Sequence, residues 1–600
     1  MQLIREFLML PFSRAFVARA IYSFLLISLA ATSACAEDTP DRASSITAIV
    51  GVNVIPMDED RLLENQTVII IDGLITEISN FDDVSIPDAA KRIEGNGRYL
   101  MPGLADLHTH LRGQDQYVSY LAFGVTTVMH LGGSESHGRD LLEHRRQISA
   151  GSIIGPNIYA TERTFDGDPP ASGGAYRFSS PDAARKKVTE LKDAGFDFIK
   201  IYNNVSYPVF QAIVDEARRQ GLPVFGHVPR NFDPLTAMRE GQNAVVHTEE
   251  FFFTYFEGPR STVDMDREYE ADLSTIPALI EVLVENNVAV MPDLAFTFTN
   301  FLMWDSLETI WMDAEMKFLH PDTVFDWRVA NINRREEIEN FIIREQWKYE
   351  LMQELTRQFQ QAGILQVIGT DASLPGLFPG KAAHRELTEL VKAGLSNFDA
   401  LSIGTRNAGE FVRRYIDENA RFGKIEIGYR ADLFLVAENP LEDVRNARNV
   451  EAVAVNGRWL QKAELDHQRK LLAERFQALN KVNEQVDTAL EGDRARSVIQ
   501  NILAVHADDA DTVAAIEKRI NSSGYGAAFA DRIDRAQQIL ELGTQLFPAS
   551  ANAWDSLAEI TLFQGDREKA IEYYMKALKV DPEFSNAAEQ LRKLSLSETE

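Results

Sequence analysis

The sequence predicts an α/β chain built on a (β/α)₈ (TIM) barrel, with a small flanking β-sandwich and an all-α C-terminal repeat domain. Three observations carry this. First, eight apolar runs follow one another over roughly 280 residues: YLMPGLADLHTH, VTTVMHLG, NIYATE, FDFIKIYN, LPVFGHV, NAVVHTEE, NVAVMPDLA and ILQVIGTDA. Most are separated by segments of helical periodicity, and strands alternating with helices imply a parallel sheet. Second, β-rich stretches lie on both sides of this region. Third, the pattern turns helical after Leu460 and stays so.

The chain begins with Arg5, Arg14 and Arg19 ahead of an apolar stretch, IYSFLLISLAA, that ends in small residues at Ala34-Cys35-Ala36. This is the layout of a secretory signal over residues 1–36, cleaved after Ala36. The apolar run is about 15 residues, short of the roughly 20 needed to span a bilayer, so no membrane span is expected in the mature chain. The destination is periplasmic or secreted. Cys35 raises a lipoprotein alternative, but Thr32 stands where a bulky aliphatic residue is expected. Cys35 is the only cysteine, so cleavage would leave no disulfide, thiolate ligand or cysteine nucleophile. A net charge of -29 argues against nucleic acid or an anionic membrane as partner.

Residues 46–98 read as strands, with VIIIDGLITEIS forming a hairpin around Asp72-Gly73. Residues 423–460 supply further short strands, and the two stretches together would form the sandwich. Between them, 99–422 is the barrel. Helical segments such as YPVFQAIVDEARRQG end in glycine, a stop signal. An open doubly wound sheet is the rival, but it would not readily bring residues from the first, middle and last strands to one point. Two connections are long. Phe165–Ser180 follows the third run, and the segment from Phe296 to about Gln361, with Trp304, Trp311, Trp327 and Trp347, follows the seventh. Both would emerge at the C-terminal face, where long loops often form lids, although helix packing is the plainer role for the tryptophans. In the helical region 464–600, Trp554, Leu557, Ala558, Gly565, Ala570, Tyr574, Ala577 and Pro582 match the 34-residue tetratricopeptide spacing. Ala536, Leu540, Gly543 and Pro548 fit the second half of an earlier copy, which puts repeats at about 517–584. Two repeats are fewer than usually stand alone. They would lean on neighbouring helix, barrel or a second subunit, or bind a protein partner.

His108, His110, Lys200, His227, His247 and Asp371 each fall at the C-terminal end of an apolar run, which is where a barrel enzyme collects its chemistry. Imidazole and carboxylate converging from rigid strands are a metal-ligand set and point to metal-assisted hydrolysis. Lys200 shares a strand face with Phe196 and Phe198. A buried, unpaired ammonium there would tend to lose its proton, and a neutral amine can take up carbon dioxide to become a carbamate able to bridge two metals. A lysine salt-bridged at the rim is the other reading. Tyr202, His130, His137, Arg230 and His384 are candidate substrate or supporting groups.

From these motifs, together with HRELTELVKAGL, IGTRNAGEF and GKIEIGYRADLFLV, the chain resembles the amidohydrolase superfamily, in its imidazolonepropionase-like branch, over roughly Ile46–Trp459. The resemblance implies that His108, His110 and Asp371 bind a first metal, and that His227 and His247 bind a second. Carbamylated Lys200 would bridge the two. Zinc is the expected ion. It further implies that Asp371 transfers the proton during hydrolysis of a carbon–nitrogen bond in an amide, cyclic amide or short peptide. The imidazolonepropionases proper use one metal, and the lysine is what resembles the two-metal members. The same site could attack a lactone, ester or phosphotriester. A reading of another class is a non-catalytic interaction protein that works through its repeats.

Overall fold

The computed structural model describes residues 45–133, 135–171, 174–256, 271–334, 342–582 and 584–596. The signal expected at 1–36 lies outside them. The chain forms two compact units. One runs to Met316 and resumes at Trp327–Lys470; the other contains Lys317–Asp326 and Leu471–Glu600.

The first unit opens with β1 (Ile46–Val54), β2 (Leu63–Ile71), β3 (Leu74–Asn80), β4 (Lys91–Glu94) and β5 (Tyr99–Pro102). The barrel follows, with β6 (Leu104–Thr109), β7 (Val125–His130), β8 (Asn157–Ala160), β9 (Phe165–Asp166), β10 (Tyr176–Arg177), β11 (Ile199–Ile201), β12 (Val224–Gly226), β13 (Ala244–Val246) and β14 (Ala289–Met291). Then come β15 (Leu433–Val436), β16 (Val450–Val455) and β17 (Arg458–Gln461).

The two ends of this unit share one sheet. Its strands run β17-β16-β15-β5-β1-β2-β3, with β4 also paired to β1. The seam is β5 against β15, where Leu100 faces Leu435. Alternation along β15, and along β1 with a register shift between Ile49 and Val52, puts Ile49, Val52, Leu433 and Leu435 into one apolar cluster with Val68 and Leu100. Burying both edges this way gives the first barrel strand a fixed point of entry at Gly103-Leu104.

Barrel strands pair in parallel as β6-β7-β8 and β9-β11-β12-β13-β14. A backbone bond joins the two sets, Asp197 N donating to Ala160 O at 3.0 Å. The eighth position is the irregular segment 365–372. Val290 N donates to Leu365 O at 3.0 Å on one side, and Leu107 N donates to Ile368 O at 2.8 Å on the other. The ring is thereby closed. Ala105, Met129, Phe198, Phe225, Val246, Met291 and Val367 pack together as one apolar plug. Lys200 and His227 lie two residues beyond Phe198 and Phe225, so the strand period carries them above the plug on the same face. Ile199, Ile201 and Val224 point the other way, into the cluster shared with helix Tyr207–Gln220. That helix stops at Gly221, whose φ of 67° lets its amide turn back onto the last carbonyls.

The long connection after β14 is helical, with Leu294–Asp305, Leu307–Trp311, Pro321–Arg334 and Ile342–Gln361. Trp327 is fully buried, and its indole donates to Ser373 O at 3.1 Å. Lys348 in the last of these helices sits 2.6 Å from Glu249 and 2.7 Å from Glu345. The insertion is thus pinned to the chain just past His247.

In the second unit, helices Ala510–Phe529, Ile533–Leu546, Ala551–Phe563, Arg567–Val580 and Ser585–Leu596 succeed one another. The small residues of the repeat pattern, Ala536, Ala558, Ala570 and Ala577, are buried with Leu540, Leu557 and Tyr574. Among the described residues no helix is long and apolar enough to cross a membrane.

This unit also buries two carboxyls one turn apart, Asp555 and Glu559. Asn586 Nδ2 donates to both, at 2.8 and 2.9 Å, and Tyr525 donates to Glu559. Burial pushes both carboxyls above their usual range, and the charge of Glu559 adds to the rise at Asp555. The folded unit therefore holds more protons than the unfolded chain once pH exceeds about 4, the ordinary carboxyl range. By linkage its stability falls as pH rises through that window. Asp555→Asn should raise the melting temperature of the helical unit at pH 8 and flatten its pH dependence, read by calorimetry on the full chain. An unchanged pH profile would mean the carboxyl is solvated.

Candidate metal centre

Two of the candidate residues and one further aspartate sit at the very ends of barrel positions, and the backbone there is unusual. His247, just past β13, has φ 70°; Asp371, in the closing segment, has φ 59°; Asp293, just past β14, has φ 53°. Left-handed backbone at non-glycine residues costs on the order of 1–3 kcal/mol each and persists where surrounding structure overdetermines it. Here it turns side chains inward over the plug.

The side chains converge. His108 Nε2 lies 3.3 Å from Asp371 Oδ1, His110 Nε2 lies 2.9 Å from the same oxygen, and His247 Nε2 lies 3.8 Å from Asp371 Oδ2. The rings of His108 and His247 are 4.6 Å apart, and those of His247 and His227 are 5.0 Å apart. His108, His247 and Asp371 each offer one ligand atom, all within 4.8 Å of one another. Lys200 is buried beside them. Among the described residues it makes no hydrogen bond or ion pair, while Asp371, Asp293 and Glu250 act on it through their charge. Burial lowers its amine to about 8 against that pull.

The Nδ1 atom of each imidazole also lies close to an oxygen, hydrogen-bonded in three and in ion-pair range in His247. His108 Nδ1 lies 2.9 Å from Asp293 Oδ2, and His247 Nδ1 lies 2.7 Å from that same oxygen. His227 Nδ1 lies 2.8 Å from Asn203 Oδ1 and 3.0 Å from Glu250 Oε1. His110 Nδ1 donates to Gly132 O at 2.7 Å. An acceptor at Nδ1 puts the proton there and leaves Nε2 a lone pair. Three Nε2 atoms then face one carboxylate, an arrangement that needs protons or a metal cation between them. His108 Nε2 is buried with no hydrogen-bond partner among the described residues. The donor set of imidazole and carboxylate therefore fits a divalent cation.

Charge balance tells the same story. Burial would raise the Asp371 carboxyl, but His110, His247 and Lys200 hold it at about 2. Burial would lower His247, but Asp293 and Asp371 lift it to about 9. Burial lowers His227 to about 4 despite Glu250, with Lys200 adding to the fall.

The remaining candidates divide. Tyr202 stacks on His227, ring centres 4.1 Å apart. Arg230 Nη2 reaches Glu250 at 3.4 Å, and the guanidinium lies 4.9 Å over Phe253. His130 lies 6.2 Å from His110, and its Nδ1 accepts from Leu111 N–H at 3.0 Å. His137 falls within helix Glu135–Ser149, but its side chain lies outside the described part of the structure. His384 is a correction. It is buried on helix Lys381–Lys392, and its Nε2 donates to Phe123 O at 2.7 Å, ahead of β7. That is the N-terminal end of the strands, opposite the site, so His384 braces the barrel floor.

The sequence reading missed four groups. Asp293 and Glu250 hold the imidazoles. Asp106, fully buried, accepts from Thr370 Oγ1 at 2.6 Å and ties β6 to the closing segment. Glu386 accepts from Leu294 N at 3.1 Å and Ala295 N at 2.6 Å, fixing the backbone just after Asp293. For Asp293 and Glu250 a signal existed: both stand at or just past the end of an apolar run, the position that singled out the other six.

The amidohydrolase family matches residues 99–460, and a tetratricopeptide repeat matches 551–584. Ochratoxinase from Aspergillus niger is 22% identical over 471 residues, covering 68% of this chain and 85% of that protein. Among solved structures, bottromycin amidohydrolase superposes with a TM-score of 0.55 at 23% identity, covering 72% of this chain and 90% of that one. A Xaa-Pro dipeptidase with bound methionine superposes with a TM-score of 0.52 at 20% identity, covering 70% and 100%. At these identities the structural likeness shows the fold.

The close packing under the site can be tested directly. A Cβ on Gly369 would lie 2.1 Å from Asp293 Oδ1 and 2.8 Å from His108 Cβ. Gly369→Ala should cost about 1–3 kcal/mol through overpacking and lower the melting temperature by several degrees. A wild-type melting temperature would show that the two side chains can move apart freely.

Proposed function

We propose, on the premise that this chain belongs to the amidohydrolase family, that it is a metal-dependent hydrolase of a carbon–nitrogen bond in an amide, cyclic amide or short peptide. The observation that carries the reading is the set of imidazole Nε2 atoms turned on the Asp371 carboxylate, an arrangement that suits a cation at its centre.

Two divalent ions would be held there. His108, His110 and Asp371 would hold one, His227 and His247 the other, and Lys200 as a carbamate would bridge them. Zinc suits this ligand set, which has no sulfur and needs no redox chemistry. When bound, such ions polarise the scissile carbonyl and bring the pKa of water near neutrality. Asp371, ionised throughout the neutral range, takes the proton of the attacking water and hands it to the leaving nitrogen. His110, a third exposed, marks the solvent side of the centre. Tyr202 and Arg230 stand on the β11–β12 side, placed to receive the substrate's polar end. Buried Lys200, lowered to about 8, is neutral often enough near physiological pH for its Nζ to bond to the carbon of carbon dioxide with loss of one proton. The amide reading also accords with the names of the similar proteins, an amidohydrolase and a dipeptidase. Residues 1–36 are proposed as an export signal to the periplasm or beyond, and the repeats as a surface for a protein partner or self-association.

Asp371→Asn should abolish turnover in a screen of dipeptides, N-acyl amino acids and lactones with zinc-loaded protein, while chelation does the same to the wild type. Retained turnover would remove Asp371 from proton transfer. Lys200→Ala should lose one of two ions by elemental analysis, with partial rescue by short carboxylates. Full occupancy without the lysine would exclude the bridge.

A further inference from the structure

One carboxylate oxygen serves two imidazoles that the proposed metal assignment places on different ions. Asp293 Oδ2 lies 2.9 Å from Nδ1 of His108 and 2.7 Å from Nδ1 of His247. An ionised carboxylate oxygen has two lone-pair sites, so it can serve both. Every neighbour of Asp293 restricts it. The side chain is fully buried. Its backbone is left-handed at the end of β14, and the next two amides are held by Glu386. Gly369 is packed against its other oxygen so tightly that no Cβ fits between. Glu250 makes the contrast: its Oε1 faces one imidazole only, that of His227, and its other close partner is Arg230.

We infer that Asp293 is a positioning residue that couples the two metal subsites. This rests on the two-metal reading above. By holding Nδ1 of His108 in a hydrogen bond and Nδ1 of His247 in an ion pair on one oxygen, it aligns one ligand of each ion in a single act. An ion that orders His108 holds Asp293, and through it His247, in the geometry the second ion needs. The ordering cost of the second ion is then already met by the first, which is positive cooperativity in the sense of a shared coupling free energy.

The experiment is zinc uptake by the metal-free full chain in bicarbonate buffer, measured as ions per chain at fixed free zinc. The wild type should take up both ions over one narrow range of zinc. Asp293→Asn is the informative variant, because asparagine accepts left-handed backbone and keeps the shape. It should weaken both ions by roughly 10–100-fold, the usual effect of losing an outer-shell partner, and split uptake into two steps. Glu250→Gln should weaken one ion and leave the other. A wild-type curve for Asp293→Asn, or loss confined to one ion, overturns the coupling. Two ions taken up by the wild type in well-separated steps overturn it as well. A wild type that takes up no zinc removes the metal reading, and the positioning role with it. A further measurement covers failure of the variant to fold: nitrogen NMR of the metal-free wild type should show Nδ1-protonated His108 and His247. The Nε2-protonated tautomer at both overturns the role.

Discussion

Taking charge out of water is the constraint around which the first unit is organised. An isolated carboxylate or ammonium in a dry interior is untenable, and it neutralises or finds partners. The barrel mouth buries Lys200, Asp371, Asp293, Glu250, His108, His227 and His247 within one cluster. No member is stable there alone. Burial pushes Lys200 down toward neutrality while three carboxylates pull it back, and Asp371 stays ionised only because His110, His247 and Lys200 surround it. The cluster is therefore a unit whose parts cannot be changed one at a time. Its existence requires a closed ring, since these groups come from β6, β11, β12, β13, β14 and the last segment.

Closing the ring and aiming the side chains are in tension, and the chain resolves it at strand ends. Segment 365–372 makes ladder bonds to both neighbours without forming a regular strand, and β6 carries register shifts on both sides of Ala105–Asp106. His247, Asp293 and Asp371 each take left-handed backbone where a strand would otherwise continue. Regular pairing below and broken pairing above is how a rigid scaffold presents several inward side chains at one height.

The barrel was legible because its signals are local and periodic: eight apolar runs, helix stops at glycine, and a hairpin at Asp72-Gly73. Six candidate residues stood out by one rule, a ligand-type side chain at the end of a run. The same rule stopped short at Asp293, which follows a proline in NVAVMPDLA and reads as the start of a helix; its partners lie 185 residues back in His108 and near in space only after closure. His384 shows the opposite failure. Its segment marks the chain's resemblance, yet amphipathic helix Lys381–Lys392 turns that imidazole toward Phe123 rather than the mouth. Spacing gives the face of an element, and the ring's direction then decides which end of the barrel that face meets. Glu386, two residues later, reaches the backbone after Asp293 instead.

The occupancy of the imidazoles narrows the chemistry that this centre can perform. His108, His110 and His227 have Nδ1 hydrogen-bonded, His247 has Nδ1 2.7 Å from Asp293, and Nε2 of His108, His110 and His247 faces Asp371. A histidine acting as general base needs one nitrogen free to take a proton and room to release it. None of these four has both once its inward nitrogen is engaged by a cation. His130 likewise accepts a backbone N–H at Nδ1. Among the groups gathered at the centre, the proposed reaction then turns to a carboxylate for proton transfer. Asp293 is sealed beneath the histidines at zero exposure, and Glu250 is held by His227 and Arg230. Asp371, slightly exposed and beside the half-open His110, is the carboxylate that borders both the buried imidazoles and solvent.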